Sequence, residues 1–158
     1  MDAQLGSDLP TRSVRIDEAC AEVLKDFIAL AERRNIQLEC DLEEEAVKSD
    51  EVALQTLLRN LVSNAKTCTS DAGLIRIATT REERNPLLSV EGSDIGIPCS
   101  EREHVLRRLY RGAGQAGTGV GLGLAIVARI ADAQRTTMSL RDSCFGGLRV
   151  EMRFEPMT

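Results

Sequence analysis

Between residues 51 and 67 apolar side chains recur at Leu54, Leu57, Leu58, Leu61, Val62 and Ala65, the period of a helix with one broad buried stripe. Ser49 or Asp50 stands where an N-cap is needed. A shorter pattern, Ala21, Leu24, Phe27, Ile28 and Ala31, predicts a helix from about residue 17 to residue 34, with Asp17 as its cap. Residues 120–134, "VGLGLAIVARIADAQ", predict a third. Strand-like runs lie at residues 13–17, 36–42, 73–80 and 87–92, and "TTMSLRDS" with "GLRVEMRF" predicts a closing hairpin around Gly146 and Gly147. The charged run "EEEAVKSD", residues 43–50, reads as a connector, and the polar segment 100–111 as a helical patch. Strands interleaved with helices predict an α+β two-layer sandwich: a mixed sheet of about five strands backed on one face by about three helices.

At 158 residues one domain is expected, with residues 1–12 as a polar tail and 13–156 as the folded unit. Composition narrows the function classes. A net charge of −5 gives no basic face for nucleic acid, and 3% aromatic content with no Trp gives no base-stacking platform. The five cysteines, Cys20, Cys40, Cys68, Cys99 and Cys144, are widely spaced with no C-x-x-C, so free thiols in a reducing compartment are expected rather than a disulfide framework or zinc site. No long apolar run or signal segment is present, so no membrane contact by this domain is expected.

Candidate chemistry sits in two places. On the helix 51–67, Asn60, Asn64 and Thr67 share a face beside the apolar stripe. Asn is a poor helix-interior residue, and its amide oxygen is a hard, neutral ligand suited to Mg²⁺ that bridges phosphates. A solvent-facing polar stripe is the other reading of the same three residues. The second place is "GAGQAGTGVGLGLAIV", where Gly112, Gly114, Gly117, Gly119, Gly121 and Gly123 precede a strongly apolar helix. Glycines let backbone N–H groups approach phosphates, and a helix N-terminus favours anions. No Lys-Ser/Thr pair follows, and Leu122 and Leu124 occupy third-glycine positions, so neither a P-loop nor a dinucleotide fingerprint fits.

Three segments in this order resemble the catalytic, ATP-binding domain of bacterial sensor histidine kinases. "LLRNLVSNAKTCTS" is similar to that family's asparagine box, "VEGSDIGIP" to its first glycine box and "GTGVGLGLAIVARIA" to its second. "EREHVLRRLYRG" resembles the phenylalanine box, with Leu106 and Leu109 where Phe is usual. The resemblance implies a Bergerat-type fold, ATP and Mg²⁺ as ligands, and transfer of the γ-phosphoryl to a His on a separate dimerisation domain, with a response regulator as the further partner. It implies Asn64 as the metal ligand and Asn60 near the phosphates. It further implies a nucleotide pocket drawn from Thr67, Cys68, Gly92, Asp94, Gly96, Ile97, Gly117, Thr118, Gly119, Val120, Gly121, Leu122 and Gly123. Tyr110 and Arg111 fall at the base of a lid, and the domain is expected in the cytoplasmic portion of a membrane-bound sensor. No phospho-accepting His lies upstream of the asparagine box; His104 is the sole histidine and reads as a surface helix residue.

The sequence departs from the family at a defined place. The first glycine box usually reads Asp-x-Gly-x-Gly, and here Gly92 and Asp94 have exchanged those residues. In the family that Asp accepts a hydrogen bond from the adenine amino group, a charge-assisted contact worth about 1.5–3 kcal/mol, or about 10- to 150-fold in affinity. Thr67 and Cys68 replace the usual basic and aromatic residues, Lys66 points about 100° away around the helix, and "QRTT" replaces a His-Gly-Gly type of corner. Three readings therefore stand: an active kinase domain, a degenerate non-catalytic module of the same fold acting through protein contacts, and a different role within the wider gyrase and chaperone ATPase superfamily.

Overall fold

The computed structural model describes residues 12–67, 69–93, 100, 104, 121–144 and 146–156. In chain order the elements are β1 (Arg12–Arg15), α1 (Ile16–Leu24), α2 (Ile28–Arg33), β2 (Gln37–Leu42), β3 (Ala46–Ser49), α3 (Glu51–Thr67), β4 (Leu74–Glu82), β5 (Asn85–Gly92), α4 (Gly121–Ala133), β6 (Thr137–Asp142) and β7 (Leu148–Arg153). The main sheet has five strands in the order β2-β4-β5-β7-β6. The β2–β4 pair is parallel and the other three are antiparallel, so the sheet is mixed, as expected. β1 and β3 form a separate antiparallel ribbon with Val14 opposite Val47.

Strand alternation and register sort the sheet into two faces. Ile75, Ile77, Leu88, Val90, Val150 and Met152 are cross-strand partners or two residues apart, and all join the continuous core with the α3 stripe and with Leu124, Val127, Ala128 and Ala131 of α4. Helices on one face of a mixed sheet follow from that. Asp50 caps α3, its Oδ2 accepting the Ala53 N–H at 2.8 Å. The α3 bounds and buried stripe agree with the sequence reading.

Three expectations are corrected. The first long helix is two: backbone N–H groups of Asp26 and Phe27 bond the carbonyls of Val23 and Leu24, three residues back, and tighten the chain before α2 begins. The break turns Phe27 against the core and leaves Ile28 and Ala21 exposed, so the buried stripe of α1 is Ile16, Ala19, Cys20, Val23 and Leu24. Asp17 does not cap it. Its carboxylate accepts from the Arg15 guanidinium at 2.9 and 2.7 Å and from the Glu45 N–H at 3.2 Å, tying the helix start to the segment before β3; the Arg15 contact holds its pKa below the usual carboxylate range. The supposed connector contains β3, whose pairing with β1 supplies what local sequence did not.

Two helix ends close by the same device. Asn35 and Arg135 take left-handed φ of 57° and 56°, and the next N–H groups, of Ile36 and Thr136, bond the carbonyls of two different Ala31 and Ala131 residues at 2.8 Å each. Arg135 thus makes, at some conformational cost, the corner for which glycine is the easier residue. Cys20, Cys40 and Cys144 are free thiols, and burial pushes the Cys20 thiol up to about 12, which keeps it protonated and inert.

Candidate functional site

α3 and α4 run side by side in opposite directions. At one end of the pair, Gln134 just beyond α4 accepts the Ser49 hydroxyl at 2.6 Å, beside the α3 cap. At the other end, Gly123 faces Asn60 and Asn64: a Cβ built on it would lie 3.6 Å from the Asn60 carbonyl oxygen, 3.8 Å from its Oδ1 and 3.9 Å from the Asn64 Cβ. The glycine-rich helix start and the two asparagines, far apart in sequence, therefore meet across one interhelical seam.

The two asparagines have different surroundings. Asn60 is half-buried and its Nδ2 donates to the Thr56 carbonyl at 2.8 Å, one turn back. Its amide is thereby oriented, with Oδ1 turned toward Gly123. Asn64 is 7% exposed, and its Oδ1 has no hydrogen-bond partner among the described residues. An unpartnered buried amide oxygen costs about 1–3 kcal/mol, so an electrophile at this position repays it. Thr67 is exposed and does not join this pair. Lys66 lines a small apolar hollow with Phe27, Leu30 and Ala31, on the side of α3 turned toward α2 and away from the asparagine face.

Gly92 ends β5 opposite Ile75, which places it on the core face of the sheet. With Asn64, Thr69, Leu61 and Val90 it lines a pocket with room for about one water molecule. A Cβ built on Gly92 would lie 2.7 Å from Thr69 Oγ1, closer than ordinary contact. Thr69 is 2% exposed and its Oγ1 likewise has no partner among the described residues. Sequence reading missed Thr69. It stands near the end of the asparagine-box segment in a run of small polar residues, with no periodicity to mark it, and only the distance to Gly92 singles it out. Its placement is fixed by Arg34, which donates to the carbonyls of Lys66 (3.0 Å) and Thr69 and pairs with Asp71 at 2.6 Å. A guanidinium at these carbonyls also suits the negative end of α3.

Glu91, the acidic neighbour of Gly92, points the other way. Alternation puts it on the outer face with its partners Arg76 and Arg149. There it is 2% exposed; Oε1 accepts the Ser143 hydroxyl at 2.8 Å, and Oε2 lies 3.7 Å from Arg149. It cannot supply the carboxylate that Gly92 lacks. Ser93 Oγ accepts the Leu74 N–H at 2.9 Å and is committed to the strand junction.

Of the other sequence-predicted residues, Gly121 and Leu122 open α4. Cys68, Asp94, Gly96, Ile97, Tyr110, Arg111, Gly117, Thr118, Gly119 and Val120 lie outside the described residues. Ser100 and His104 are helical and exposed, in keeping with the helical patch expected at 100–111 and a surface histidine.

Comparison with known proteins agrees with this geometry. Residues 49–157 match the family described as "Histidine kinase-, DNA gyrase B-, and HSP90-like ATPase". Sensor histidine kinase YkoH of Bacillus subtilis is 33% identical over 153 residues, 94% of this chain and 33% of that protein. The chain spans about a third or less of the first curated relatives it matches. The catalytic domain of histidine kinase ThkA superposes with a TM-score of 0.79 at 23% identity, covering 94% of this chain and 100% of the other. Full-length ShkA, solved in complex with AMPPNP, superposes at 0.77 with 20% identity, covering 96% of this chain and 32% of that one. The asparagine pair, the glycine-rich helix start and the five-stranded sheet behind them belong together: the chain is a member of the histidine kinase-, gyrase B- and HSP90-like ATPase family, with the fold of the catalytic domain of two-component sensor histidine kinases.

Proposed function

We propose that this chain binds Mg²⁺-ATP at the seam between α3 and α4 and serves the transfer of the γ-phosphoryl to a His on a separate dimerisation domain. The bond between the γ-phosphorus and the leaving ADP oxygen breaks, and a phosphorus–nitrogen bond to the imidazole forms. A response regulator then receives the phosphoryl group. The observation that carries this reading is the buried, unpartnered Asn64 Oδ1 on the face turned to Gly123.

The donor set fits Mg²⁺ held jointly with phosphates. Asn64 offers one neutral oxygen, and no cluster of three or more His, Cys, Asp or Glu able to hold a metal occurs among the described residues. A single amide leaves the ion's charge for phosphate oxygens to balance. When bound, the ion would neutralise charge on the transferring phosphoryl group. Asn60, oriented by its bond to Thr56, would lie near the phosphates, and backbone N–H groups at Gly119, Gly121 and Gly123 would face them. Cys68, Gly96, Ile97, Thr118, Val120 and Leu122 would complete the pocket, with Tyr110 and Arg111 at the lid, while the exposed Thr67 would stand at its rim. The remainder of such a kinase would carry the phospho-accepting His and the sensor, with this domain on the cytoplasmic side. No helix among the described residues is long and apolar enough to cross a membrane.

A second reading, a degenerate module of the same fold, is favoured by Gly92, which presents no carboxylate to adenine. One titration separates the two. Isothermal calorimetry with ATP is expected to show Mg²⁺-dependent saturation below millimolar nucleotide. Absence of saturation at millimolar ATP, with and without Mg²⁺, would assign the chain to the second.

A further inference from the structure

We infer that the Thr69 hydroxyl takes the place of the missing carboxylate at the base end of the cleft, so that this domain discriminates only weakly between 6-amino and 6-oxo purine nucleoside triphosphates. The inference rests on the reading of the cleft as a nucleotide site and goes beyond it to the base that site accepts.

Among the described residues few polar groups can serve there; Asp94, two residues on from Gly92, lies outside them. Gly92 has no side chain, Glu91 is on the opposite face of the sheet and held by Ser143, and Ser93 Oγ is turned toward Gly73 and Leu74, whose N–H it accepts. Thr69 Oγ1 stands 2.7 Å from where a Gly92 Cβ would be, inside the space the first atom of a longer side chain would claim. It is buried and lacks a partner among the described residues, and it faces the same pocket as Asn64 and Gly92. A buried hydroxyl without a partner is unfavourable in the empty domain and gains by meeting a polar ligand edge.

The consequence follows from hydrogen-bond inventories. An ionised carboxylate only accepts; it pairs with an exocyclic amino group and repels a carbonyl oxygen. A threonine hydroxyl carries one donor and two lone pairs on a rotating bond. It accepts from the 6-amino group of adenine or donates to the 6-carbonyl of hypoxanthine with similar strength. A single water bridging Thr69 to the base has the same dual character, so the outcome does not depend on direct contact.

The test compares ATP with inosine triphosphate, which carries the 6-oxo group and no 2-amino group, by calorimetry on the whole chain with Mg²⁺. The two affinities are expected within about tenfold of each other, the range of one neutral hydrogen bond. Thr69→Val keeps the shape and removes the hydroxyl. It is expected to weaken both nucleotides by about 3- to 10-fold while the melting temperature of the free domain holds or rises by about 2–4 °C. Should the valine variant not fold, Thr69→Ser and Thr69→Ala form the pair, serine retaining both affinities and alanine losing them. ATP bound more than about 100-fold tighter than inosine triphosphate, the range of a charge-assisted bond, would overturn the inference. Equal affinities in hydroxyl-bearing and hydroxyl-free variants would also overturn it. If ATP binds and inosine triphosphate does not, the inference alone fails; if neither binds, the nucleotide reading of the cleft fails and takes the inference with it.

Discussion

The two ends of the cleft have diverged to different degrees. At the α3–α4 seam, a buried amide oxygen without a partner sits across from a glycine that admits close approach. At the Gly92 end, the side chain expected for base recognition is absent, and a threonine hydroxyl from a different segment occupies the neighbouring space. The first end is built from Asn60 and Asn64, one turn apart on a single helix, with Gly123 facing them from α4. The second is assembled from β5 and the segment after α3, with Thr69 of that segment inferred to supply the polar group that β5 lacks. On the proposed reading, phosphate handling and base selection fall to different elements of this chain, so substitutions can test them separately.

Removing the amide at the first end should have the largest effect on binding. Asn64→Ala is expected to lower Mg²⁺-dependent ATP affinity by about 10- to 150-fold, the range for a contact to a charged group, while leaving fold stability unchanged or higher, because a buried unpaired oxygen is removed. Calorimetry and thermal melting on the same sample check both parts. At the second end, Gly92→Asp should not simply restore the family arrangement. Its Cβ would press on Thr69 Oγ1, and overpacking of this kind costs about 1–3 kcal/mol. Denaturant unfolding should show that loss, with much of it relieved when Thr69→Ala is added, and with Asp94→Gly completing the exchange.

Smaller effects sharpen the contrast further. Arg34→Met removes the cation that holds the Lys66 and Thr69 carbonyls, and about 1–3 kcal/mol of stability is expected to go with it. Nucleotide affinity should fall through the base end alone, so the dependence on Mg²⁺ concentration stays that of the parent chain. Arg135→Gly, remote from both ends, should raise stability by about 1 kcal/mol, since it relieves a left-handed backbone at a helix terminus. A change in ATP affinity on that substitution would mean the far end of α4 is coupled to the site.

Elements with strong local signals were legible in the sequence. α3 announced itself through six apolar positions in register and an Asp cap, and β4 and β5 through runs rich in Leu, Ile and Val. β3 was not, because only Ala46 and Val47 stand among charged neighbours and the strand exists through its pairing with β1. The break between α1 and α2 carries no Gly or Pro at residues 25–27 to mark it; it shows only in the hydrogen bonds of Asp26 and Phe27 to carbonyls three residues back and in Phe27 lying against the core. The asparagine pair and the glycine-rich start could be picked out because residue chemistry and spacing coincide there. Thr69 could not, since its meaning lies in a distance across 23 residues of chain, from Thr69 to Gly92, that only the folded sheet sets.

The tie between Ser49 and Gln134 has a mechanical consequence. It joins α3 and α4 at the end remote from Asn64, as the rivet joins two arms of a pair of tweezers. Asn64 is 14 residues from Asp50, a lever arm of about 21 Å at 1.5 Å per residue. At that length a rotation of about 5° about the joint would change the separation of the tips by about 2 Å, roughly the difference between direct contact and a layer of water. The Asp50 N–H shares the same Gln134 oxygen, and the core common to α3 and α4 resists such a rotation along the whole seam, so the gap at Asn64 is held by packing as well as by the distant tie.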